Sequence, residues 1–222
     1  MNSRLSLILV ASFAACAWTC CTPDQWEGEE GALAGYARAF QRGILKEKAF
    51  VAYDYTNRRT VAFLNYVNGD YEGRFQIVTR YDSDGKKGRL FFVDLKKDEC
   101  RTRDLDREFR KACIPKDAKE YGPFFMGLEG GFRVRGFEVH TGPITTFVNV
   151  VDLEEGVCVP VGETLTGTLR KVSFMQSLGF INIRPGIKNA TIFDVPKQCS
   201  EAQETDQMFA AVVERDHFIL AV

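Results

Sequence analysis

Two segments decide the fold class: Ala49-Phe50-Val51-Ala52-Tyr53-Asp54-Tyr55 and Thr60-Val61-Ala62-Phe63-Leu64-Asn65-Tyr66-Val67. Both are rich in β-branched and aromatic residues, and the polar stretch Thr56-Asn57-Arg58-Arg59 separates them. Strand-forming runs on either side of a short polar turn are typical of a β-hairpin. The middle of the chain therefore begins as antiparallel β-structure.

Segments of the same kind continue along the chain at intervals of about 8 to 15 residues, which is typical of all-β folds. They are Arg74–Tyr81, Arg89–Leu95, Phe132–His140, Thr145–Asp152, Val157–Val161, Thr164–Phe174 and Phe180–Arg184. Several alternate apolar and polar residues, so that one face of each strand is apolar. We expect a mainly β protein whose curved antiparallel sheets form a sandwich or half-barrel.

Helix is predicted only in short pieces. The clearest begins at the capping residue Ser200 and carries an apolar stripe of helical spacing at Met208, Phe209, Val212 and Val213. No repeat or Pro/Gly-rich linker divides the chain, so we expect one domain over residues 20–222 with a C-terminal helix packed on the sheet.

The first residues have the layout of a secretory signal peptide. Arg4 precedes a short apolar run, and small residues around Ala15-Cys16-Ala17 follow it. We expect a leader over residues 1–19, with cleavage between Ala17 and Cys21, and a secreted, extracellular protein; the lysosomal lumen is the alternative. A lipoprotein cleavage site at Cys16, Cys20 or Cys21 fits the preceding residues less well.

Composition excludes several classes of function. The chain has 222 residues with a net charge of −1, so it lacks the basic excess of a nucleic-acid-binding protein. No later stretch approaches the roughly 20 apolar residues of a membrane-spanning helix. The two histidines lie in no catalytic or metal-binding motif, and no nucleophile or nucleotide-binding motif is present. We expect no enzymatic activity and no resident cofactor other than calcium.

The cysteines that follow the leader are expected to be structural. They are Cys20, Cys21, Cys100, Cys113, Cys158 and Cys199. In an oxidising compartment six cysteines allow up to three disulfides in 15 connectivities. None has the spacing typical of zinc or redox sites.

Two surface features indicate modification and metal binding. Asn189-Ala190-Thr191 is an N-glycosylation sequon after a turn-like segment, so we predict a glycan on Asn189. The acidic residues Asp152, Glu154 and Glu155 are candidate calcium ligands, although they fit a solvated hairpin tip equally well.

The 18 phenylalanines, most of them on predicted strands, indicate an unusually large apolar interior. A curled sheet can be filled by such side chains or can leave a lipid-sized pocket between them. We take strand aromatics and aliphatics as candidate pocket residues, and a register error of one residue would turn each to the opposite face. The candidates are Phe63, Phe75, Phe91, Val93, Phe147 and Phe174.

Four blocks together resemble the ependymin-related proteins. Gln25-Trp26-Glu27-Gly28 after Cys20-Cys21 resembles the mature start of that family, and Cys158-Val159-Pro160-Val161 resembles its central cysteine-plus-proline strand. Gly186-Ile187-Lys188-Asn189 and Phe193-Asp194-Val195-Pro196-Lys197-Gln198-Cys199 resemble two blocks near its end. The blocks occur in family order over nearly the whole mature chain.

The resemblance implies a secreted glycoprotein with a deep hydrophobic pocket, similar to bacterial lipoprotein carriers. It also implies lipid binding, calcium association, a role in cell–matrix adhesion and a homodimer. By the same resemblance Cys20 or Cys21 pairs with Cys158, and Cys100 pairs with Cys199. Cys113 is extra relative to the family pattern; it either pairs with the second N-terminal cysteine or stays free.

Two functions remain open at this point. One is a carrier that shelters an apolar ligand in a pocket. The other is a calcium-dependent adhesion or matrix protein whose sheets pack solidly. The sequence itself names neither the ligand nor the partner.

Overall fold

A computed structural model describes residues 18–169, 171–200 and 203–204, and these are almost entirely β-strand. Two short 3₁₀ helices interrupt the strands near the end. The strands are β1 Trp18–Cys21, β2 Gln25–Arg38, β3 Gln41–Asp54, β4 Arg59–Asn68, β5 Tyr71–Tyr81, β6 Gly88–Asp94, β7 Glu99–Leu105, β8 Cys113–Pro115, β9 Lys119–Met126, β10 Phe132–Thr141, β11 Ile144–Glu154, β12 Val157–Leu169, β13 Val172–Pro185 and β14 Gln203–Glu204.

All fourteen strands belong to one open sheet. Its main order is β14-β7-β6-β5-β4-β3-β2-β13-β12-β11-β10-β9, with β1 and β8 paired outside this path. Neighbouring strands are antiparallel except in the pairs β1–β12 and β14–β7. The long-range pair of β2 with β13 joins two runs of hairpins into one sheet. The predicted mainly β, antiparallel fold is confirmed, and a single curved sheet represents the half-barrel alternative.

The observed strands differ from the sequence prediction at several places: β1, β7, β8 and β9 were not predicted, and two further differences have a clear cause. β2 and the first half of β3 were not predicted, because Glu29-Glu30-Gly31-Ala32-Leu33-Ala34 lacks β-branched and aromatic residues. The predicted strand Thr164–Phe174 crosses the β12–β13 turn, where Lys171 has a φ of 69°. Apolar and polar residues alternate on both sides of that turn, so the sequence pattern does not reveal it.

The sheet has two distinct faces. Cross-strand register places one continuous set of buried apolar side chains on what we call the front face, and the opposite side is the back face. The buried apolar residues of the front face include Trp26, Ala32, Ala34, Ala49, Val51, Tyr53, Leu64, Phe75, Ile77, Leu90, Phe92, Leu105, Phe137, Val139, Ile144, Val148, Val150, Leu165 and Leu178.

The front face carries most of the buried apolar side chains of the sheet. Among the described residues, β1, β8 and the 105–112 segment are the elements that cross it. Phe109 of that segment stacks on Tyr53, and the Ala112 N–H donates to the Tyr53 hydroxyl. Among the described residues, these elements pack against the two ends of the face.

The back face of β3–β6 is covered by the 187–199 segment. This segment contains the 3₁₀ helices Ala190–Phe193 and Lys197–Cys199. Phe193 is fully buried against Ala52, Val61 and Val78, and the Arg59 guanidinium lies 4.4 Å from its ring centre. The segment therefore acts as a second layer over this half of the sheet.

Three disulfides tie the outlying elements to the sheet. Cys20 is bonded to Cys158, Cys21 to Cys113, and Cys100 to Cys199. The first and third pairs are those that the family resemblance implied. The pair Cys21–Cys113 joins the two cysteines that were extra relative to the family pattern, so Cys113 is not free. Because the bridges close loops of 92 to 138 residues, each removes a large conformational entropy from the unfolded chain.

The ends of the chain modify two predictions. Gln203 and Glu204, expected in the first turns of a C-terminal helix, instead form β14 and pair with Arg101 and Thr102. Strand pairing here satisfies backbone groups at the free edge of β7, which a helix start would leave unpaired. The rest of that helix, from residue 205, lies outside the described residues, as do residues 1–17 of the predicted leader.

In the described part of the chain we find no helix with the length and apolarity needed to cross a membrane.

Candidate ligand-binding face

The centre of the front face is built from β12, β13, β2 and β3. Ala32, Leu165 and Leu178 form its buried apolar floor, and Phe174 packs against them. Ala32 and Ala34 of β2 lie in cross-strand rows between larger side chains of β13 and β3.

Three buried glutamates interrupt this apolar face. Glu163 and Glu47 lie in the cross-strand row Val148–Glu163–Leu178–Ala32–Glu47, and Glu30 is two residues from Ala32 on the same face. Their exposed fractions are 3% for Glu163, 8% for Glu47 and 1% for Glu30. Buried carboxyl groups on an apolar face are costly unless partners compensate them, which makes their placement informative.

Glu163 has the least compensated environment of the three. Its Oε2 atom is buried and makes no hydrogen bond to any described residue. Burial, together with the smaller effect of the Glu30 charge, raises the pKa of the Glu163 carboxyl to about 8. Glu163 is therefore mainly protonated and neutral near neutral pH.

Trp26 supplies a second buried polar atom on the same face. The indole is 2% exposed and packs against Tyr53, with ring centres 6.1 Å apart. Within the described chain its Nε1–H finds no hydrogen-bond acceptor. Buried indole N–H groups usually have a partner. The front face thus combines an apolar lining with a small number of polar atoms for which the described part of the chain provides no partner.

The predicted pocket residues divide between the two faces. Phe75 and Phe174 lie on the front face. Phe63 and Phe91 pack on the back face beneath the 187–199 segment, and Val93 shares that face through its register with Gln76. Phe147 is also on the back face and is 42% exposed. Four of the six residues therefore do not belong to the front-face site, because the side of the sheet was unknown from sequence.

Sequence reasoning missed the three glutamates and Trp26 as site residues. The sequence did contain a signal, because residues two apart on a strand share a face of the sheet. Glu30 is two residues from Ala32, and Glu163 is two residues from Leu165, so each shares a face with an apolar neighbour. The β2 signal was masked because the exposed Leu33, rather than the smaller alanines, dominates the local apolar pattern.

The predicted glycosylation site is exposed. Asn189 caps the first 3₁₀ helix, and its Oδ1 accepts hydrogen bonds from the Thr191 N–H at 3.0 Å and from the Thr191 hydroxyl at 2.8 Å. The side-chain nitrogen, which would carry a glycan, is not used in these bonds. Attachment of a glycan at this residue stays a prediction.

The candidate calcium ligands lie at the β11–β12 turn. Asp152 accepts two hydrogen bonds from the Arg135 guanidinium, at 2.9 and 2.5 Å, and Glu154 and Glu155 are exposed. Within residues 18–169, 171–200 and 203–204 no group of three or more His, Cys, Asp or Glu side chains is arranged to hold a metal ion. Asp152 is thus engaged in an ion pair with Arg135, and calcium binding at this turn stays a prediction.

Comparison with known proteins gives the family. The family model described as Ependymin matches residues 73–199, more than half of the chain. The chain belongs to the Ependymin family. The match covers β5 to β13 and the whole 187–199 segment, and therefore includes Glu163 and the cysteines Cys100, Cys113, Cys158 and Cys199. As an Ependymin-family protein, the chain bears out the resemblance found in its motifs.

Two curated relatives extend the likeness over most of the chain. Ependymin-related protein 1 of Haliotis asinina is 25% identical over 188 residues, covering 82% of this chain and 90% of the relative. Ependymin-related protein 2 of the same organism is 24% identical over 187 residues, with 81% and 89% covered. An uncharacterized conserved protein from Thermus thermophilus is similar in structure with a TM-score of 0.47 and 10% identity, covering 82% of this chain and 90% of that one.

Proposed function

We propose that this Ependymin-family chain is a secreted glycoprotein that binds a lipid or similar hydrophobic molecule against its front face. The observation that supports this most is the apolar face on which Glu163 Oε2 is buried without a partner among the described residues. A mainly apolar ligand with one polar group would match the apolar face and satisfy this oxygen. Binding sites of this kind are concave and apolar with a few placed polar groups.

Native mass spectrometry of the protein from a eukaryotic secretion host tests the proposal. A co-purifying lipid, or uptake of an added long-chain amphiphile at one per chain, is the expected result. A clean polypeptide-plus-glycan mass that takes up no amphiphile of any head group would overturn it and favour the adhesion alternative. The same spectra report whether Asn189 carries a glycan, through the mass lost in Asn189→Gln.

Two substitutions on adjacent positions of β2 locate the binding face. Ala34 is buried on the front face, whereas Leu33 is exposed on the back face. Ala34→Phe should reduce amphiphile uptake by filling the floor of the site, and Leu33→Phe should leave uptake unchanged. Circular dichroism of both variants separates lost binding from lost folding.

Calcium association, matrix adhesion and homodimer formation remain proposals that rest on the family resemblance. Calorimetry with calcium on the protein before and after enzymatic removal of the glycan would separate binding by carboxylates from binding by sugar acids. Sedimentation analysis would report the oligomeric state.

A further inference from the structure

We propose that the end of the β9–β10 hairpin inserts into the surface of a neutral phospholipid bilayer and so docks the protein on membranes. We call this end, from Phe124 to Phe132, the tip; it joins the last two strands at one edge of the sheet. Docking by the tip does not depend on the ligand proposed for the front face, so either proposal can fail without the other.

Five of the nine residues of the tip are large, apolar and exposed. They are Phe124, Phe125, Met126, Leu128 and Phe132, and their exposed fractions range from 40% for Phe124 to 85% for Leu128. Single exposed apolar residues are ordinary on protein surfaces. A contiguous group of them instead marks a surface that contacts another molecule or a membrane.

The apolar side chains lie on both faces of the hairpin. Because Phe137 is a front-face residue, alternation along β10 places Arg133 on the front face and Phe132 on the back face. Phe125, opposite Arg133, is therefore on the front face, and Met126, opposite Phe132, is on the back face. A protein that packs on one face of the hairpin would leave the other face exposed, whereas the apolar part of a bilayer would surround both.

The loop between the two strands is a tight turn that presents Leu128 to the outside. The Gly131 N–H donates to the Leu128 carbonyl at 2.9 Å. Gly127 and Gly130 have φ values of 82° and 76°, a conformation that glycine adopts without strain. The most exposed apolar side chain of the tip is thus held at its end by an ordered loop.

The base of the hairpin, in contrast, is polar and is fixed by ion pairs. Lys119 lies 4.0 Å from Glu138, and Arg135 lies 3.6 Å from Glu120. The Tyr121 hydroxyl also donates to Glu138. Charged side chains therefore give way to apolar ones along the length of the hairpin. This arrangement suits a segment that enters an apolar medium with its end first, with tyrosine and lysine at the boundary.

The edge of the sheet limits the insertion to the outer part of a bilayer. Among the described elements β9 packs on β10 alone. Within that part of the chain the outer edge of β9 carries backbone groups without a partner strand, which hydrocarbon would not satisfy. At about 3.3 Å per residue, Phe124–Met126 and the loop extend about 10 Å. Interfacial helices reach a similar depth, at the boundary of head groups and acyl chains.

The charges around the tip favour a zwitterionic surface over an anionic one. Glu129 in the loop is balanced by Arg133. β11 runs beside β10 toward this end of the sheet, through the Arg135–Val150 pair, and ends at Glu154. The described side chains here do not form the basic cluster that attracts proteins to anionic lipids.

The tip is too small for a stable contact between two copies of the chain. Such interfaces bury about 800 Å² and about 20–30 residues on each side, whereas the tip has nine residues. Membrane binding has no such minimum, because its strength scales with the apolar area that enters the interface. A bilayer therefore fits the size of the tip as well as its shape.

Flotation of the secreted protein with phosphatidylcholine vesicles tests the docking. The protein should float, to a similar extent in about 0.1 M and about 1 M salt, and anionic lipid should not be required. Leu128→Ser should reduce the affinity for vesicles at least about tenfold. Ile44→Ser is the matched control, because Ile44 is also apolar and exposed but lies on β3, six strands from β9. It should bind vesicles like the wild type.

A tryptophan at the tip reports its surroundings directly. Leu128→Trp should add the fluorescence of an exposed indole, which shifts to the blue and is quenched by brominated phosphatidylcholine when vesicles are added. Ile44→Trp should show neither change. A blue-shifted Leu128→Trp spectrum before vesicles are added would mean that a second copy or another segment of the chain covers the tip, and would overturn the proposal.

Three flotation results would also overturn the docking. They are no binding to neutral vesicles, binding only to anionic vesicles at low salt, and equal losses in Leu128→Ser and Ile44→Ser. Ala34→Phe separates docking from ligand uptake at the front face, because this variant should still float. Loss of flotation in Ala34→Phe would assign vesicle binding to the front face and refute the role of the tip. A protein that floats but takes up no amphiphile would overturn the proposed function alone.

Discussion

Adjacent residues of the motif that opens β2 have different structural roles. Trp26 points to the front face, whereas Glu27 is buried on the back face, where Arg184 donates to its Oε1 at 2.7 Å. Gly28 returns to the front face, and a Cβ there would lie 3.0 Å from Cγ1 of Ile183. The motif is therefore explained by packing between β2 and the end of β13.

Replacing Glu27 tests this ion pair. Glu27→Ala should lower the free energy of unfolding by about 1–3 kcal/mol, because it removes a buried acceptor of the Arg184 guanidinium and of the Lys188 N–H. Glu29→Ala, which breaks the exposed pair with Lys48, should cost less than about 0.5 kcal/mol. Urea unfolding of both variants makes the comparison, and equal losses would contradict the assigned role of Glu27.

Glu163 makes stability depend on pH with a defined sign. The pKa of Glu163 is raised from 4.5 to about 8 in the folded chain. Between these values the unfolded chain loses this proton and the folded chain keeps it, so stability falls as pH rises. The wild type should lose up to about 1.4 kcal/mol per pH unit across this window relative to Glu163→Gln.

Chemical denaturation of both proteins at several pH values from the acidic to the alkaline side measures this difference. The variant should be the more stable protein at alkaline pH. A difference between the two proteins that does not change with pH would contradict the assignment.

At the scale of elements, alternation predicted most strands but not the side of the sheet on which each residue lies. The hairpin of β3 and β4 and the segments of β5, β6, β10 and β11 follow the expected pattern of strand-forming runs and polar turns. β2 was missed because it is built from glycine, alanine and glutamate and becomes a strand through pairing with β3 and β13. Long-range pairing of this kind leaves no local signal, which is also why only Phe75 and Phe174 of the predicted pocket residues lie on the front face.

Two glycines of β2 test how closely this strand packs on its neighbour. Gly28→Ala would place a methyl group 3.0 Å from the Ile183 side chain and 3.2 Å from its Cα, whereas a Cβ at Gly31 would meet nothing within 4 Å. We expect Gly28→Ala to destabilise the protein by about 1–3 kcal/mol. Gly31→Ala should be neutral or slightly stabilising. Thermal melts of the pair measure the difference, and matching melting temperatures would argue against close packing at Gly28.

At the scale of the whole molecule, the described chain forms one sheet. The 187–199 segment forms a second layer over part of its back face and is fixed there by a disulfide. The Cys100–Cys199 bridge holds the end of the 187–199 segment to β7, and Phe193 fills the space beneath it. The family motif that ends in Cys199 predicted this connection, but its covering role follows from where Phe193 is buried. The segment and the bridge therefore stabilise the same region.

Removing Phe193 or the bridge should weaken this layer in different ways. Phe193→Ala should cost about 3–5 kcal/mol by leaving a cavity. Replacing Cys100 and Cys199 together by serine should cost up to about 5 kcal/mol, mainly through the unfolded chain. Hydrogen exchange should rise first in 187–199 in both variants, while amides of β12 and β13 keep their protection. Uniform loss of protection would instead mean that the layer and the sheet unfold together.

The pairing of β2 with β13 has a consequence for the order in which the protein can be made. β2 is synthesised early, yet one of its two neighbours, β13, ends at Pro185. The disulfide between Cys20 and Cys158 likewise cannot form until Cys158 has been synthesised. The edge of β2 that pairs with β13 must therefore stay without its partner strand while most of the polypeptide emerges from the ribosome. Contacts between residues so distant in sequence form slowly. Folding should therefore depend on chaperones that shield the unpaired edge of β2 until translation is nearly complete.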